Sequence, residues 1–413
     1  MSSSVAVLRR PEASVRVVVV DARARSVRRR VSIAWGLLFF NTLTFMPGTS
    51  VVPIPSSVGR GLTQAALPLA VLVALTVNPR LAVKPNVFLC LASLLVVDAV
   101  ITSTQPQHLG TVYRTVRLAE FVVALWLLTP WWGRADMLLF RCHLRWLLVA
   151  LGSVLLGLAI APGNSFVLDG RLGSAMWPMY PTQVGQYAAI AAGLAVVLWL
   201  ARELSGPATV ACVVGALTIL LLTHTRTALV GLLAALLIAG LSLFTVNARV
   251  RKFFVAGAVL VSIGVVTLAG VATTWLARGQ DAQGLATLTG RTNFWQLVLH
   301  QPRTGFQEIF GFGLSNAGVN GLPIDSNWLA SYMMLGLFGA VICACMLLSV
   351  YVGAFFQPAG VRRALALFLV TYCAVASYTE VGFTDVSTYL LHLTVAASLV
   401  AGPVLGAGRG EVG

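Results

Sequence analysis

The sequence predicts an all-α membrane protein, a polytopic bundle of about twelve transmembrane helices. Of its 413 residues, 58% are hydrophobic and only 10% are charged, and the mean hydropathy is +0.88. Soluble domains carry roughly 25% charged residues, so a soluble core could not hide this much apolar surface, and lipid must be the solvent for most of it. The apolar residues form long unbroken runs, whereas a transmembrane barrel would show short alternating strands.

Twelve apolar runs have about the length that crosses a bilayer, roughly 17–25 residues. The first is short, and the tenth is long enough to tilt or to extend beyond the membrane. We place the spans at about 31–46, 62–78, 86–103, 115–132, 145–161, 181–201, 207–223, 226–246, 253–275, 326–356, 363–381 and 384–404. The chain then consists of a basic tail (1–30), a membrane domain (31–404) with a large loop (276–325) between spans nine and ten, and a short C-terminal tail (405–413).

The basic residues orient the spans. The segment ARARSVRRR (22–30) precedes the first span, so the positive-inside rule places the N-terminus in the cytoplasm, and twelve spans place the C-terminus there too. This arrangement puts 20 of the 28 Lys and Arg residues, and the whole net charge of +15, on the cytoplasmic side. The expected location is the plasma (inner) membrane. The basic tail is interpreted as an orientation signal with some lipid contact, and no nucleic-acid motif accompanies it.

The charges on the outer side are not explained by that rule. All the basic residues there are arginines, whose guanidinium groups bind phosphates in a bidentate way. An anionic ligand such as a pyrophosphate would suit them, although the chain uses arginine nearly everywhere. They are Arg60, Arg114, Arg117, Arg171, Arg226, Arg278, Arg291 and Arg303.

Three ionisable residues lie near the outer ends of predicted spans, where a charge is costly and usually faces a cavity or a partner. Arg226 follows almost no loop between spans seven and eight, and Asp98 and Glu120 lie in apolar surroundings. One interpretation is a polar cavity that opens outward. The other is structural, because Arg117 and Glu120 are three residues apart and can pair on one helix.

The large loop carries its own pattern. A helix is expected from near Gly290 to just before Pro302, lying along the membrane surface with His300 on its polar face. Arg291 falls on the apolar side, from which it either reaches lipid headgroups or points into a site. The Gly-Phe-Gly sequence (311–313) predicts a turn with backbone angles that other residues avoid.

Metal and disulfide chemistry have little support in the sequence. The six cysteines form no CxxC pair and the five histidines are scattered along the chain, so we expect neither a metal site nor a cofactor.

Four stretches occur in the order and spacing of a known family, across spans one to ten. They are IPSSVGRGLTQ (54–64), GRLGSAMWPMYPTQVGQYAA (170–189), LLTHTRTALVGLLAAL (221–236) and the segment from Gly290 to Gly339. Together they resemble the O-antigen ligase and polymerase superfamily of membrane glycosyltransferases. Thr225-Arg226-Thr227 is similar to the Ser-Arg-Thr/Ser element of that family. Two places differ: Pro181-Thr182 stands where the family usually has Pro-Asn, and Asp325-Ser326-Asn327 stands where the ligases have His-Ser or His-Asn.

The resemblance implies a GT-C-like fold and a metal-independent transfer of a glycan from a polyprenyl-(pyro)phosphate-linked donor to a glycan or glycolipid acceptor on the outer leaflet. Arg226 and Arg291 would stabilise the charge of the leaving group, and Asp325 would accept the proton of the acceptor hydroxyl. A competing role for Asp325 is to cap the tenth span. The expected substrate-binding residues are Arg171, Arg114, Arg117, His224, His300, Asp98 and Glu120.

Two other functions stay open. A secondary transporter or lipid-linked glycan flippase would show internal repeats and ionisable residues near the midplane, whereas here no repeat is visible and the charges gather at the outer boundary. A scaffold subunit of an envelope assembly is the third interpretation.

Overall fold

The computed structural model describes residues 12–104, 109–168, 170–244, 247–257, 259, 267, 291–314, 318–319 and 322–402. Within these ranges it describes only the backbone of residues 12–23, 291–294, 318–319 and 322–323. The long helices are α1 (Glu12–Asn41), α2 (Ser56–Val77), α3 (Val87–Ser103), α4 (Leu109–Leu128), α5 (Leu138–Ile160), α7 (Pro181–Leu200), α8 (Gly206–Thr223), α9 (Arg226–Phe244), α12 (Asn327–Phe356), α13 (Val361–Ala376) and α14 (Thr388–Val400).

Short elements connect them. A 3₁₀ turn (Thr129–Trp131) follows α4, and residues 248–257 are helical. The short helices are α6 (Pro162–Ser165), α10 (Arg291–Leu299) and α11 (Gly305–Phe310). Two small antiparallel hairpins pair β1 (Phe166–Val167) with β2 (Arg171–Leu172) and β3 (Gly318–Val319) with β4 (Leu322–Pro323).

The all-α, membrane-type architecture predicted from the sequence is confirmed. Helices occupy eleven of the twelve predicted spans, and the ninth (253–275) lies largely outside the described residues. Among the described helices, α2, α5, α7, α8, α9 and α12 are long and apolar enough to cross a membrane, and α3 and α14 are apolar but shorter. The total of twelve spans stays a prediction. The expected boundary at residue 31 is not a helix boundary, because α1 begins at Glu12, within the basic tail.

Three helices form the centre of the bundle. Every residue is buried from Gln183 to Ala195 in α7, from Ala364 to Cys373 in α13 and from Thr388 to Leu399 in α14. In α7 these residues include many alanines and glycines, and Gly193 lies directly against the Phe368 ring. Small residues of this kind let membrane helices approach closely, because lipid supplies no hydrophobic force between them.

The surrounding helices turn apolar faces outward. On α9, Leu233, Leu237 and Leu241 recur every four residues and are each at least half exposed. In water such a stripe would be a liability, whereas lipid solvates it.

Polar contacts collect at the two ends of the bundle. At the end that the charge pattern assigns to the cytoplasm, Arg28 pairs with Asp136 at 3.1 Å. There the Lys84 ammonium donates to the Pro130 carbonyl at 3.0 Å, and the Arg249 guanidinium donates to the Trp199 carbonyl at 2.8 Å. The assignment of this end to the cytoplasm rests on the charge pattern alone.

At the opposite end of the bundle, Gly311 and Gly336 allow two backbone segments to lie in direct contact. The helix α12 is broken at Gly336 (φ 63°, ψ −164°), so the tenth predicted span is not one straight helix. The predicted Gly-Phe-Gly turn is confirmed, since Gly311 and Gly313 have φ of 78° and 89°. The turn docks onto the break: Phe312 N donates to Met333 O at 2.9 Å and Gly313 N to Met334 O at 2.8 Å.

We predict that Gly336→Ala lowers the melting temperature of the detergent-solubilised protein by several degrees. The backbone angles of Gly336 lie in a region that is essentially restricted to glycine, which costs other residues about 1–3 kcal/mol, and a Cβ there would collide with the Ile309 carbonyl. The matched control is Gly152→Ala in α5, where an added Cβ meets nothing within 4 Å, so stability should hold or rise by about 0.5–1 kcal/mol. Equal melting temperatures for Gly336→Ala and the wild type would show that the break does not need glycine.

Candidate functional site

The end of the bundle opposite the Arg28–Asp136 pair is named the outer end, after the orientation that the charge pattern predicts. The loop between α13 and α14, residues 377–387, joins the parts of this end. The Asn327 side-chain oxygen accepts from Gly382 N at 3.2 Å and from Phe383 N at 2.8 Å. Asn327 N in turn donates to Ser377 O at 2.9 Å. The start of α12 is thereby tied to both arms of this loop.

The same loop carries the acid that holds two of the predicted arginines. Asp385 lies 3.4 Å from an Nη of Arg114 and 3.9 Å from an Nη of Arg117. Arg117 also donates to the carbonyl of Asn41 at 3.1 Å and to its side-chain oxygen at 3.2 Å. Our expectation that Arg117 pairs with Glu120 on the same helix is wrong, because the ion pair of Arg117 in the described part of the chain is with Asp385.

Arg171 lies at the next corner. The small hairpin β1–β2 carries it toward the tip between α8 and α9, where Arg171 Nε donates to Thr223 O at 2.9 Å and Nη2 donates to Thr225 Oγ1 at 3.4 Å. Gly185 makes room for this tip, since a Cβ there would stand 2.7 Å from the hydroxyls of Thr223 and Thr225.

The tip presents two other predicted site residues. His224 ends α8 in the left-handed conformation (φ 50°, ψ 36°), and Arg226 opens α9 two residues later. Both side chains are partly buried. Thr227 bonds to Thr379 at 2.7 Å between their hydroxyls, which connects the tip to the loop 377–387. Arg226 thus lies at one end of the bundle, and the outward orientation of that end stays a prediction.

Gln183 joins the end of α1 to α7. Its side-chain oxygen accepts from the backbone N and the hydroxyl of Thr44 at 2.9 and 2.6 Å, and its amide nitrogen donates to Thr42 O at 2.9 Å. The segment around Pro181 is thus held beside the segment that also contacts Arg117.

Asp325 lies at the edge of this assembly, two residues before Asn327. The N-cap of α12 is Ser326, so Asp325 does not occupy the capping position, although it precedes it directly. The Asp325 side chain is partly buried.

Three predicted site residues have other surroundings. Asp98 is fully buried against α12, and neither of its carboxyl oxygens has a hydrogen-bond partner in the described part of the chain. It therefore does not line an outward-opening cavity. His300 is exposed, and its Nδ1 lies 2.8 Å from Gln296 O of its own helix. Arg291 begins α10, but its side chain lies outside the described residues.

The helix α10 is attached to the bundle by contacts that the sequence analysis did not identify. Arg303 donates to Val298 O at 3.0 Å and stacks over the Tyr332 ring at 4.1 Å from its centroid. The rings of Trp295 and Tyr378 meet edge to face at 5.3 Å. The loop 377–387 is thus reached from α10 as well, through Tyr378.

Asp385 and Asn327 are the main residues of the outer end that the sequence analysis missed. Asp385 was placed inside the twelfth predicted span, although the segment TEVGFTDVST (379–388) has two acids flanking Gly-Phe and could have been recognised as an outer loop. Asn327 was noted only as part of a motif.

Two of the histidines that are scattered in sequence meet in space. Nε2 of His143 lies 2.7 Å from Nδ1 of His392, and Trp35 Nε1 donates to His143 Nδ1 at 3.3 Å. Both histidines are fully buried within the bundle. Among the residues that the structure describes, no group of three or more His, Cys, Asp or Glu side chains could hold a metal ion.

Comparison with known proteins adds no relative: no protein-family model matches the chain, and no curated protein is similar to it. The outer end brings together Arg114, Arg117, Arg171 and Arg226 from three separate parts of the sequence, with Asp385 beside the first two and Asp325 at the start of α12. Such a set can bind an anionic group and orient a polar one.

We predict that Asp385→Asn lowers the melting temperature modestly, because two partly buried guanidinium groups lose their shared carboxylate. Partly exposed ion pairs are worth about 0–1 kcal/mol, so a shift of a few degrees is expected. The double variant Arg114→Gln/Asp385→Asn should lose less than the sum of the two single variants.

The matched control for this prediction is Glu120→Gln, which removes an acid on the same helix as Arg114 that forms no ion pair within the described residues. It should unfold at the wild-type temperature. An equal loss from Glu120→Gln and Asp385→Asn would mean that the overall charge of this end matters and the specific pairing does not.

Proposed function

We propose that the protein is a membrane glycosyltransferase of the O-antigen ligase or polymerase type. It transfers a glycan from a polyprenyl-(pyro)phosphate-linked donor to a hydroxyl of a glycan or glycolipid acceptor. One observation carries the proposal: two of the segments that underlie the family resemblance contact each other, although 52 residues separate Arg171 from Thr223. An arginine and the Thr225-Arg226-Thr227 tip therefore share one corner of the outer end.

In this proposal the acceptor oxygen attacks the anomeric carbon of the donor sugar and forms the new glycosidic C–O bond. The bond to the (pyro)phosphate oxygen breaks, and its electron pair leaves with the lipid phosphate. Arg226 and Arg171 stabilise the charge that develops on this leaving group, and Arg291 joins them from α10. Asp325 accepts the proton of the acceptor hydroxyl.

Arg114 and Arg117 take a supporting role. Their guanidinium groups are oriented by Asp385, and Arg117 also by Asn41. Contacts of this kind hold the planar guanidinium groups in a fixed orientation at the rim of the site. We therefore assign these two arginines to orienting the anionic substrate, and not to neutralising charge at the reacting bond.

The membrane arrangement is part of the proposal. The protein would span the plasma (inner) membrane twelve times in a GT-C-like fold, with both termini in the cytoplasm and the loop 276–325 on the outer face. Donor and acceptor would then meet in the outer leaflet, and arginines alone would neutralise the donor phosphate.

A second candidate is a secondary transporter or a flippase of lipid-linked glycans. It is favoured by the buried ionisable groups: Asp98 without a partner among the described residues, and the His143–His392 pair. Ionisable groups inside a helical membrane bundle are typical of transport pathways. Proteoliposomes loaded with fluorescent lipid-linked glycan separate the two functions, since a flippase moves the donor between leaflets without forming a glycosylated acceptor.

We predict that Arg226→Lys loses about 10²-fold or more of glycan transfer, the loss typical for removal of one oriented charge-stabilising donor. Lysine retains the charge but not the bidentate fork. Transfer is measured with a labelled lipid-linked glycan in proteoliposomes, and size-exclusion chromatography checks that the variant is folded. Arg60→Lys, at an exposed arginine of the same predicted side, is the control and should retain full activity. Wild-type turnover by Arg226→Lys would remove this residue from phosphate recognition.

We predict that Asp325→Asn lowers transfer by about 10²–10⁴-fold, as expected for loss of a general base, while donor binding persists. Asparagine has nearly the same shape as aspartate, and the N-cap residue of α12, Ser326, is unchanged, so the start of α12 should keep its structure. Donor binding and transfer are measured on the same preparation, beside Asp325→Glu, which keeps a carboxylate. Near-normal transfer by Asp325→Asn would leave the arginines as the core of the site.

A further inference from the structure

The opposite end of the bundle holds a basic cavity that the proposed transfer reaction does not use. It has a volume of about 370 Å³ and lies between α1 and α5. Its charged lining consists of Arg25, Arg28, Arg29, Arg141, Arg145 and Asp136. Five arginines and one aspartate give this lining a net charge of +4.

The one acid of the cavity is already shared. Asp136 lies 3.1 Å from Arg28 and 3.3 Å from Arg134. In the part of the chain that the structure describes, no carboxylate pairs with Arg29, Arg141 or Arg145. Asp136 therefore leaves most of the positive charge of the cavity without a neutralising carboxylate among the described residues.

The spacing of the arginines increases their mutual repulsion. Arg25 and Arg29 are four residues apart on α1, and Arg141 and Arg145 are four apart on α5, so each pair occupies one helix face. Like charges at this spacing destabilise a helix. Two such rows on the walls of one cavity are stabilised when an anion enters between them.

The walls become apolar in the direction of the membrane. On α1, Ile33 lies one turn beyond Arg29, toward the predicted membrane, and is 42% exposed; Leu138, at the start of α5, adds a second aliphatic side chain to the lining. A bound molecule would thus meet guanidinium groups with one part and aliphatic side chains with another. Inorganic phosphate could contact only the guanidinium groups, whereas a phospholipid could contact the guanidinium groups with its phosphate and the aliphatic side chains with its acyl chains.

We propose that this cavity binds the phosphate headgroup of an anionic phospholipid at the predicted cytoplasmic surface. Guanidinium groups suit phosphate oxygens because of their bidentate geometry, and basic pockets between membrane helices on the cytoplasmic side suit acidic headgroups. The volume lies within the range of about 300–1,000 Å³ usual for small-molecule sites. The site is independent of the proposed transfer reaction, since it involves none of the residues assigned to that reaction.

The test measures thermal unfolding of the full-length protein in detergent with added phosphatidylglycerol, phosphatidylcholine or inorganic phosphate. Phosphatidylglycerol is expected to raise the melting temperature, and the other two are not. Native mass spectrometry should show phosphatidylglycerol retained on the wild type. The variant Arg141→Gln/Arg145→Gln should bind it about 30-fold more weakly, because each of the two basic residues near an acidic headgroup contributes a factor of about five.

The matched control is Arg251→Gln/Lys252→Gln, which removes the same charge from exposed residues of the same end outside the cavity. It should retain wild-type lipid binding. The variant Arg141→Lys/Arg145→Lys keeps the charge and tests the guanidinium geometry if the glutamine variant does not fold. Equal losses from the cavity and control variants would reduce the effect to general surface charge, and equal stabilisation by inorganic phosphate would overturn the lipid assignment.

Discussion

The structure of the outer end depends on the hydrogen-bond partners that the protein supplies to the backbone of one non-helical segment. Backbone N–H and C=O groups that leave a helix at membrane depth need partners within the protein. In the loop 377–387, Gly382 N and Phe383 N donate hydrogen bonds to the side-chain oxygen of Asn327, and Ser377 O accepts one from Asn327 N. The loop is thereby fixed to the start of α12, and Asp385 at its far end is placed against Arg114 and Arg117.

The second constraint is the crossing of Gly311 and Gly336. Side chains at these two positions would keep the backbones apart, and the turn 311–313 could not donate to the carbonyls of Met333 and Met334. The break in α12 exposes carbonyls that an intact helix would use internally, and the turn satisfies them. This places the described residues 305–314 of the large loop at the same end as Arg171 and Arg226. The close approach of Gly311 and Gly336 thus fixes this part of the loop to α12.

The polar groups buried inside the bundle differ in how many of them have hydrogen-bond partners. Asp98 is buried without a hydrogen-bond partner among the described residues, whereas Trp35, His143 and His392 form a hydrogen-bonded series that ends at His392 Nε2, which has no partner among those residues. A carboxyl group in such surroundings is costly to bury. None of the contacts described for the outer arginines involves these groups, and the proposed transfer reaction does not use them.

The amino-acid sequence by itself determined where the helices lie, which end of the bundle carries each set of charges, and that residues 311–313 form a turn. Each of these follows from neighbours within a few positions: apolar runs for the helices, arginines beside the runs for the ends, and two glycines around Phe312. Only the tertiary structure decided the partners of the charges. Arg114 and Asp385 are 271 residues apart, and His143 and His392 are 249 apart. Which of these side chains meet depends on which helices pack together, and helix packing in lipid is governed by shape at small residues such as Gly193 and Gly185, which hydropathy does not record. For the same reason Arg117 and Glu120, neighbours on one helix, were paired wrongly from the sequence.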